Sequence, residues 1–157
     1  MITCAAPPVF VTFTQTGAAL ALKLAASFPG AEVHGLYGRT GTVDVSFKST
    51  ADHLRELFVA GRPVVGICAA GILIRLLAPV ILDKQTEPPV VALGEDGSVA
   101  VPLIGGHRGA NKLAQALAYE IGGVAAITTA GDLVFGIALD EPPAGWRIAD
   151  PSRVKAV

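Results

Sequence analysis

The residues best suited to chemistry in this chain fall into short clusters of glycine, hydroxyl and imidazole side chains. One cluster is Gly105, Gly106, His107 and Arg108, and a second is Thr14, Gln15, Thr16 and Gly17. A third is Ala69, Ala70 and Gly71, and a fourth is Thr128, Thr129, Gly131 and Asp132. An unperturbed imidazole changes charge near neutral pH, so His107 is a candidate general acid or base, and Asp132 is a candidate carboxylate expected on the opposite wall of a shared crevice. The small residues would let a bulky ligand reach the backbone, where unsatisfied amides and helix dipoles favour a carboxylate or phosphate. Glycine and threonine also serve turns and helix caps, and His107 reads almost as well as a structural residue hydrogen-bonded to a neighbouring turn. His34 and His53 are weaker candidates, since solvated positions would explain both.

Several chemistries are disfavoured. A phosphate loop, a dinucleotide Gly-x-Gly-x-x-Gly turn and a Gly-x-Ser-x-Gly elbow are all missing from the sequence, which argues against ATP, NAD and an α/β-hydrolase serine. Three histidines at unrelated spacings do not make a zinc site, so no metal ligand is assigned. Cys4 and Cys68 form neither a disulfide framework nor a metal pattern, which suits a cytoplasmic protein.

The elements that would position the clusters alternate. Pro8 to Thr14 reads as a strand, followed by a turn at Gly17 and a helix over Ala18 to Ser27. Val33 to Tyr37 is a second strand, and Ser49 with Asp52 forms a capping box ahead of a helix that Gly61 ends. Pro63 to Cys68 is a buried strand and Ala70 to Leu77 the helix after it. Pro89 to Leu93 and Val99 to Leu103 flank a turn-forming cluster and suggest a hairpin. His107 to Ile121 carries an apolar face at helical spacing, and Val124 to Thr128 is a last strand. The pattern predicts an α/β fold: an open, mostly parallel sheet with helices on both faces, in three layers, and one β-hairpin. In such sheets ligands bind beyond the carboxyl ends of the strands, so the four clusters are expected to converge on one crevice.

With 52% apolar and 16% charged residues among 157, the chain can bury a sizeable core. Its net charge of −1 and lack of a basic run argue against nucleic acid. The most membrane-like stretch, Pro63 to Leu82, contains Arg75, which would cost about 2.5 to 3.5 kcal/mol at the centre of a spanning helix. No membrane partner is expected. Arg75 should leave the core for a sheet edge or the ligand crevice, because an unpaired buried guanidinium is too costly.

Four segments resemble, in order and spacing, the N-terminal domain of the cobalt-precorrin-5A hydrolase (CbiG) family. They are Gly66–Pro79 (GICAAGILIRLLAP), Asp83–Val91 (DKQTEPPVV), Gly106–Ala114 (GHRGANKLA) and Ile127–Asp132 (ITTAGD). The likeness covers roughly residues 8 to 135 of a domain placed over 1–137. Beyond it Glu141, Pro142, Pro143 and Gly145 read as a linker and Asp150 and Pro151 as the truncated start of a further segment, together 138–157. The family opens a lactone on a ring-contracted cobalt corrinoid and releases a two-carbon aldehyde. The resemblance therefore implies a tetrapyrrole ligand, a precorrin or cobalt-precorrin, with cobalt present only as part of that substrate and no cofactor in the domain itself. His107 and Asp132 would be catalytic. Thr14, Gly17, Gly71, Arg75, Gly105, Gly106, Gly109, Asn111, Thr128 and Thr129 would bind substrate.

Two departures point to a particular branch. The family usually reads Gly-His-x-Gly-Gly-Ala-Asn, whereas one glycine fewer separates His107 from Asn111, and Gly131 stands where Thr or Ser is usual. These features resemble the version of the domain fused to precorrin-3B C(17)-methyltransferase. The implied partner is a C-terminal methyltransferase domain that uses S-adenosylmethionine, and residues 1–157 alone are not expected to transfer a methyl group. A non-catalytic corrinoid-binding module and an unrelated α/β nucleotide or flavin binder are the alternative readings.

Overall fold

The β-rich run near the amino terminus forms β1 (Val9–Thr12), buried along its whole length. In this computed structural model the described residues are 6–129, 147 and 149. The chain divides into two units, Met1–Ala126 and Ile127–Val157, and every element named below lies in the first. After β1 the extended Thr14 caps α1 (Gln15–Ala25), its hydroxyl accepting the Gly17 amide at 3.0 Å. That cap starts the helix three residues earlier than the expected Ala18, and Gly17 sits in its first turn instead of a preceding loop. A side chain at Gly17 would strike the Thr12 hydroxyl, so close packing of helix on strand requires glycine there.

β2 (Glu32–Leu36) and a short β3 (Val45–Phe47) follow. The Ser49 hydroxyl accepts the Asp52 amide and opens α2 (Thr50–Val59), as the capping box predicts. β4 (Val64–Ile67) leads into α3 (Ala70–Leu77), which tightens into a 3-10 turn at Ala78–Val80 where Pro79 stops it. β5 (Val90–Leu93) and β6 (Val99–Ile104) make the expected hairpin. At its tip the Asp96 carboxylate accepts the Ser98 amide at 3.0 Å and hydroxyl at 2.8 Å, and these bonds hold it below the usual carboxylate range. A register shift between Val90 and Val91 lets Pro102, which has no amide to give, sit in β6. α4 (Ala110–Ile121) then runs back to β7 (Val124–Ala125), only two residues of the five expected as strand.

The strands lie in the order β3-β2-β1-β4-β5-β6-β7. β3, β2, β1, β4 and β5 are mutually parallel, β6 is antiparallel to β5, and β7 is parallel to β6. Strand alternation sends Phe10, Val33, Val65, Val91 and Leu93 to one face, where Leu24 of α1 and Leu113 and Leu117 of α4 cover them. Val9, Val11, Val64, Val90 and Ala92 face the other way, onto Leu54 and Leu57 of α2 and Leu73 and Leu77 of α3. The open, mostly parallel three-layer sheet with one hairpin is therefore the architecture of the domain. Arg75 lies exposed on α3, its guanidinium reaching the Gly71 carbonyl at 3.4 Å.

Candidate functional site

The strand order reverses beside β1, because β2 follows on one side of it and β4 returns on the other. The crevice between the carboxyl ends of β1 and β4 is thus the topological switch point where an open α/β sheet offers a ligand site. Thr14, at the start of α1, and Cys68, just after β4, lie at this edge. The space is already bridged by the protein's own groups. The Thr14 hydroxyl donates to Glu95 Oε1 at 2.6 Å, tying the hairpin tip to α1, and Gln15 Oε1 accepts the Gly41 amide at 2.7 Å from the loop after β2. Burial first, then the Glu95 carboxylate, push the Cys68 thiol up to about 12, so at neutral pH it is an un-ionised thiol and a poor nucleophile. Gly71, in the first turn of α3, shares this edge.

Removing the Thr14 cap tests that assignment. Thr14→Ala should lower stability by about 1 kcal/mol, a typical loss for a side-chain N-cap, measured as a reduced urea midpoint at unchanged slope. An unchanged midpoint would mean that the contacts to Gly17 and Glu95 do not hold the edge together.

The histidine–glycine cluster lies elsewhere. Because β6 is antiparallel to β5, its carboxyl end pairs with the amino end of β5, Ile104 opposite Val90. Gly105 to Gly109 therefore sit at the edge from which β1, β4 and β5 start, across the sheet from Thr14, Gly17 and Gly71. The single crevice expected from the sequence is corrected to two separate groups, and the hairpin's reversal of direction is the reason.

At this second edge Gly105 is buried with φ +76°, and a side chain there would press on the Pro88 carbonyl. His107 occupies a 3-10 turn, Gly106–Arg108, and does not open α4 as expected. Gly109, at φ +97°, intervenes and forms the N-cap position of the helix. Among the described residues, a side chain added at Gly106 or at Gly109 would meet nothing within 4 Å, so these leave the backbone open at both. Arg108 and Lys112 are exposed there, and Asn111 is half-buried in the first turn of α4. Thr128 and Thr129 are exposed residues of the second unit. Asp132 and the expected linker and following segment over 138–157, apart from Arg147 and Ala149, lie outside the described residues.

Sequence reasoning placed His34 and His53 in solvent, and the structure overturns this. His34 is 4% exposed and its Nδ1 stands 2.9 Å from His53 Nε2. Their separation of 19 residues leaves no local signal, because the pairing depends on β2 packing against α2. Among the described residues no group of three or more His, Cys, Asp or Glu is placed to hold a metal ion, and no helix is long and apolar enough to cross a membrane.

A three-layer α/β sheet with an open, glycine-lined turn at the foot of α4 is a class of fold that serves many ligands. Comparison narrows it. Residues 52–132, just over half of the chain, match the family model described as "Cobalamin synthesis G N-terminal", and the chain belongs to that family. It is 37% identical over 131 residues to the cobalt-precorrin-5A hydrolase of Salmonella typhimurium, covering 81% of this chain and 36% of that protein. Identity to the cobalt-precorrin-5A hydrolase of Priestia megaterium is 33% over 88 residues, or 55% of this chain and 24% of that one. The chain thus spans about a quarter to a third of the curated relatives' length. The same fold occurs in a crystal structure of a cobalamin biosynthesis protein G homologue from Sulfolobus solfataricus, with a TM-score of 0.58 at 19% identity over 78% of this chain and 36% of that one.

Proposed function

We propose that this domain binds a precorrin or cobalt-precorrin, a polycarboxylate tetrapyrrole, at the edge formed by Gly105 to Gly109 and the start of α4. The observation that carries the reading is the open backbone at Gly106 and Gly109, inside the span matched by the family and flanked by the exposed Arg108. A macrocycle edge could lie against these glycines while its acetate and propionate arms meet Arg108 and the amino end of α4. The switch-point crevice supports this choice by contrast, since Glu95 already occupies it and would repel a carboxylate.

If the bound ring carries a lactone, His107 is the group suited to activate water. It would take a proton as the water oxygen attacks the lactone carbonyl, and return a proton to the ring oxygen as the acyl C–O bond breaks, leaving a carboxyl group and a hydroxyl. The domain needs no cofactor of its own in this scheme. A methyltransferase domain using S-adenosylmethionine would be its covalent partner. The shortened spacing between His107 and Asn111 favours a second reading, in which the domain binds the corrinoid and passes it on without hydrolysis.

Absorption titration with a polycarboxylate corrinoid or a uroporphyrin tests the site, because binding shifts the corrin or Soret band. Arg108→Glu should weaken binding roughly tenfold or more, about 1.4 kcal/mol for a lost charge-assisted contact, whereas Glu95→Gln should not weaken it. Loss of binding with Glu95→Gln but not with Arg108→Glu would move the ligand to the switch point.

A further inference from the structure

Four polar side chains line up between β2 and α2, outside the glycine clusters. Arg62, after α2, donates from Nη2 to Glu32 Oε2 at 2.9 Å, and the same oxygen lies 3.2 Å from His34 Nε2. His34 Nδ1 is 2.9 Å from His53 Nε2 in the first turn of α2. The His53 ring stacks on Phe47 of β3 with centroids 4.5 Å apart and planes 9° from parallel. The row therefore joins β2, β3, α2 and the segment leading to β4.

The contacts define the protons. An ionised carboxylate only accepts, so His34 carries its hydrogen on Nε2 and presents a lone pair at Nδ1, which His53 Nε2–H fills. Both rings are then neutral. One further proton on His34 Nδ1 is tolerated only if His53 moves its own hydrogen to Nδ1 and accepts instead. With a proton on each ring, two N–H groups and two like charges face each other at 2.9 Å, and the contact must break. We propose that His34 and His53 form a proton-operated latch that holds β3 and the start of α2 to β2 while both rings are neutral and releases them when both are protonated.

Among the described residues, the charged groups around the pair are Glu32 on β2, Asp44 ahead of β3, Glu56 on α2 and Arg62 beyond it. β1 contributes none, since Val11 lies opposite His34. Burial is the largest influence on His34 and lowers it below 6.5, with Glu32 and Asp44 opposing and Arg62 assisting. Burial also lowers His53 most, followed by the His34 charge, with Glu56 opposing. The folded chain thus binds fewer imidazole protons than the unfolded one. The contribution is whole above 6.5 and is lost as pH falls from there toward the folded values. Glu32 acts in a separate window. Its bond to Arg62 first, then that to His34, holds its carboxyl below 4.5, so its contribution survives until pH drops below that value.

Amide hydrogen exchange of the chain, corrected for intrinsic rates and read at about pH 7.5 and about pH 5.5, brackets an unperturbed imidazole. Protection across β3 and α2 should fall roughly tenfold more than across α4, about 1.4 kcal/mol of differential opening. Both rings should titrate below 6.5 by NMR. His53→Gln keeps an amide donor for His34 Nδ1 but no titrating ring, so the pH dependence of β3 and α2 should shrink to that of α4. Equal pH dependence of α2 and α4 in the unaltered chain, or an undiminished one in His53→Gln, overturns the latch. If the variant fails to fold, exchange in the unaltered chain still decides, and NMR midpoints at or above 6.5 for both rings also overturn the latch.

Discussion

Gly105→Ala is expected to destabilise the domain by about 2 to 5 kcal/mol, a large part of the roughly 5 to 15 kcal/mol that holds a domain folded. Two effects add. A side chain at φ +76° incurs the left-handed penalty of about 1 to 2 kcal/mol. The added carbon would also stand 2.5 Å from the Pro88 carbonyl oxygen and 2.6 Å from its carbon, both backbone atoms fixed at the start of β5, and overpacking of this kind costs about 1 to 3 kcal/mol. Gly109→Ala separates the two, because its φ of +97° carries the strain while its surroundings are open. It should lose only the first part, about 1 to 2 kcal/mol. Urea unfolding of the two variants checks the difference. Equal losses would show that the Pro88 contact relaxes freely, and that Gly105 is as available to a ligand as Gly109.

That comparison bears on how residues of one cluster divide between fold and function. Gly105, Gly106 and Gly109 look alike in the sequence, yet Gly105 is taken up by packing and the other two meet nothing among the described residues. Thr14 and Gly17 divide in the same way from a ligand role. The first caps α1 and binds Glu95, and the second lets α1 sit on Thr12. Such distinctions need coordinates, because they depend on what another segment brings to within a bond length or two.

The strands and helices were largely legible because the signals that encode them are local. The apolar runs of β1, β4 and β5, the Ser49–Asp52 box and the apolar stripe of α4 each lie within a dozen residues. β3 was missed. It is a three-residue edge strand with Val45 exposed, held by parallel pairing to β2 and by the Asp44 carboxylate accepting the Val33 amide at 2.7 Å, eleven residues away. The His34–His53 pair was missed for the same physical reason. The division of the candidate site was legible in principle: a hairpin at β5 and β6 must send Gly105 to the edge opposite Thr14, and reading the glycine clusters as one crevice overlooked that consequence.

His107→Ala carries the other large effect and decides between the two functional readings. In the hydrolytic reading, His107 is the one residue of its turn able to accept and return a proton near neutral pH, since Gly106 and Gly109 have no side chain and a guanidinium remains charged. Loss of a positioned general base lowers turnover by about two to four orders of magnitude. Lactone opening of a cobalt corrinoid by the His107→Ala chain should therefore fall by about 10²- to 10⁴-fold while the absorption titration still reports binding, because Arg108 and the backbone at Gly106 and Gly109 are untouched. Arg108→Glu should show the opposite pattern, with affinity lost first and the rate at saturating corrinoid changed less. In the carrier reading, the unaltered chain opens no lactone and His107→Ala changes affinity only slightly. A variant that loses binding and turnover together would assign His107 to ligand contact instead of proton transfer, because a general base is felt mainly in the transition state and a binding group already in the ground state.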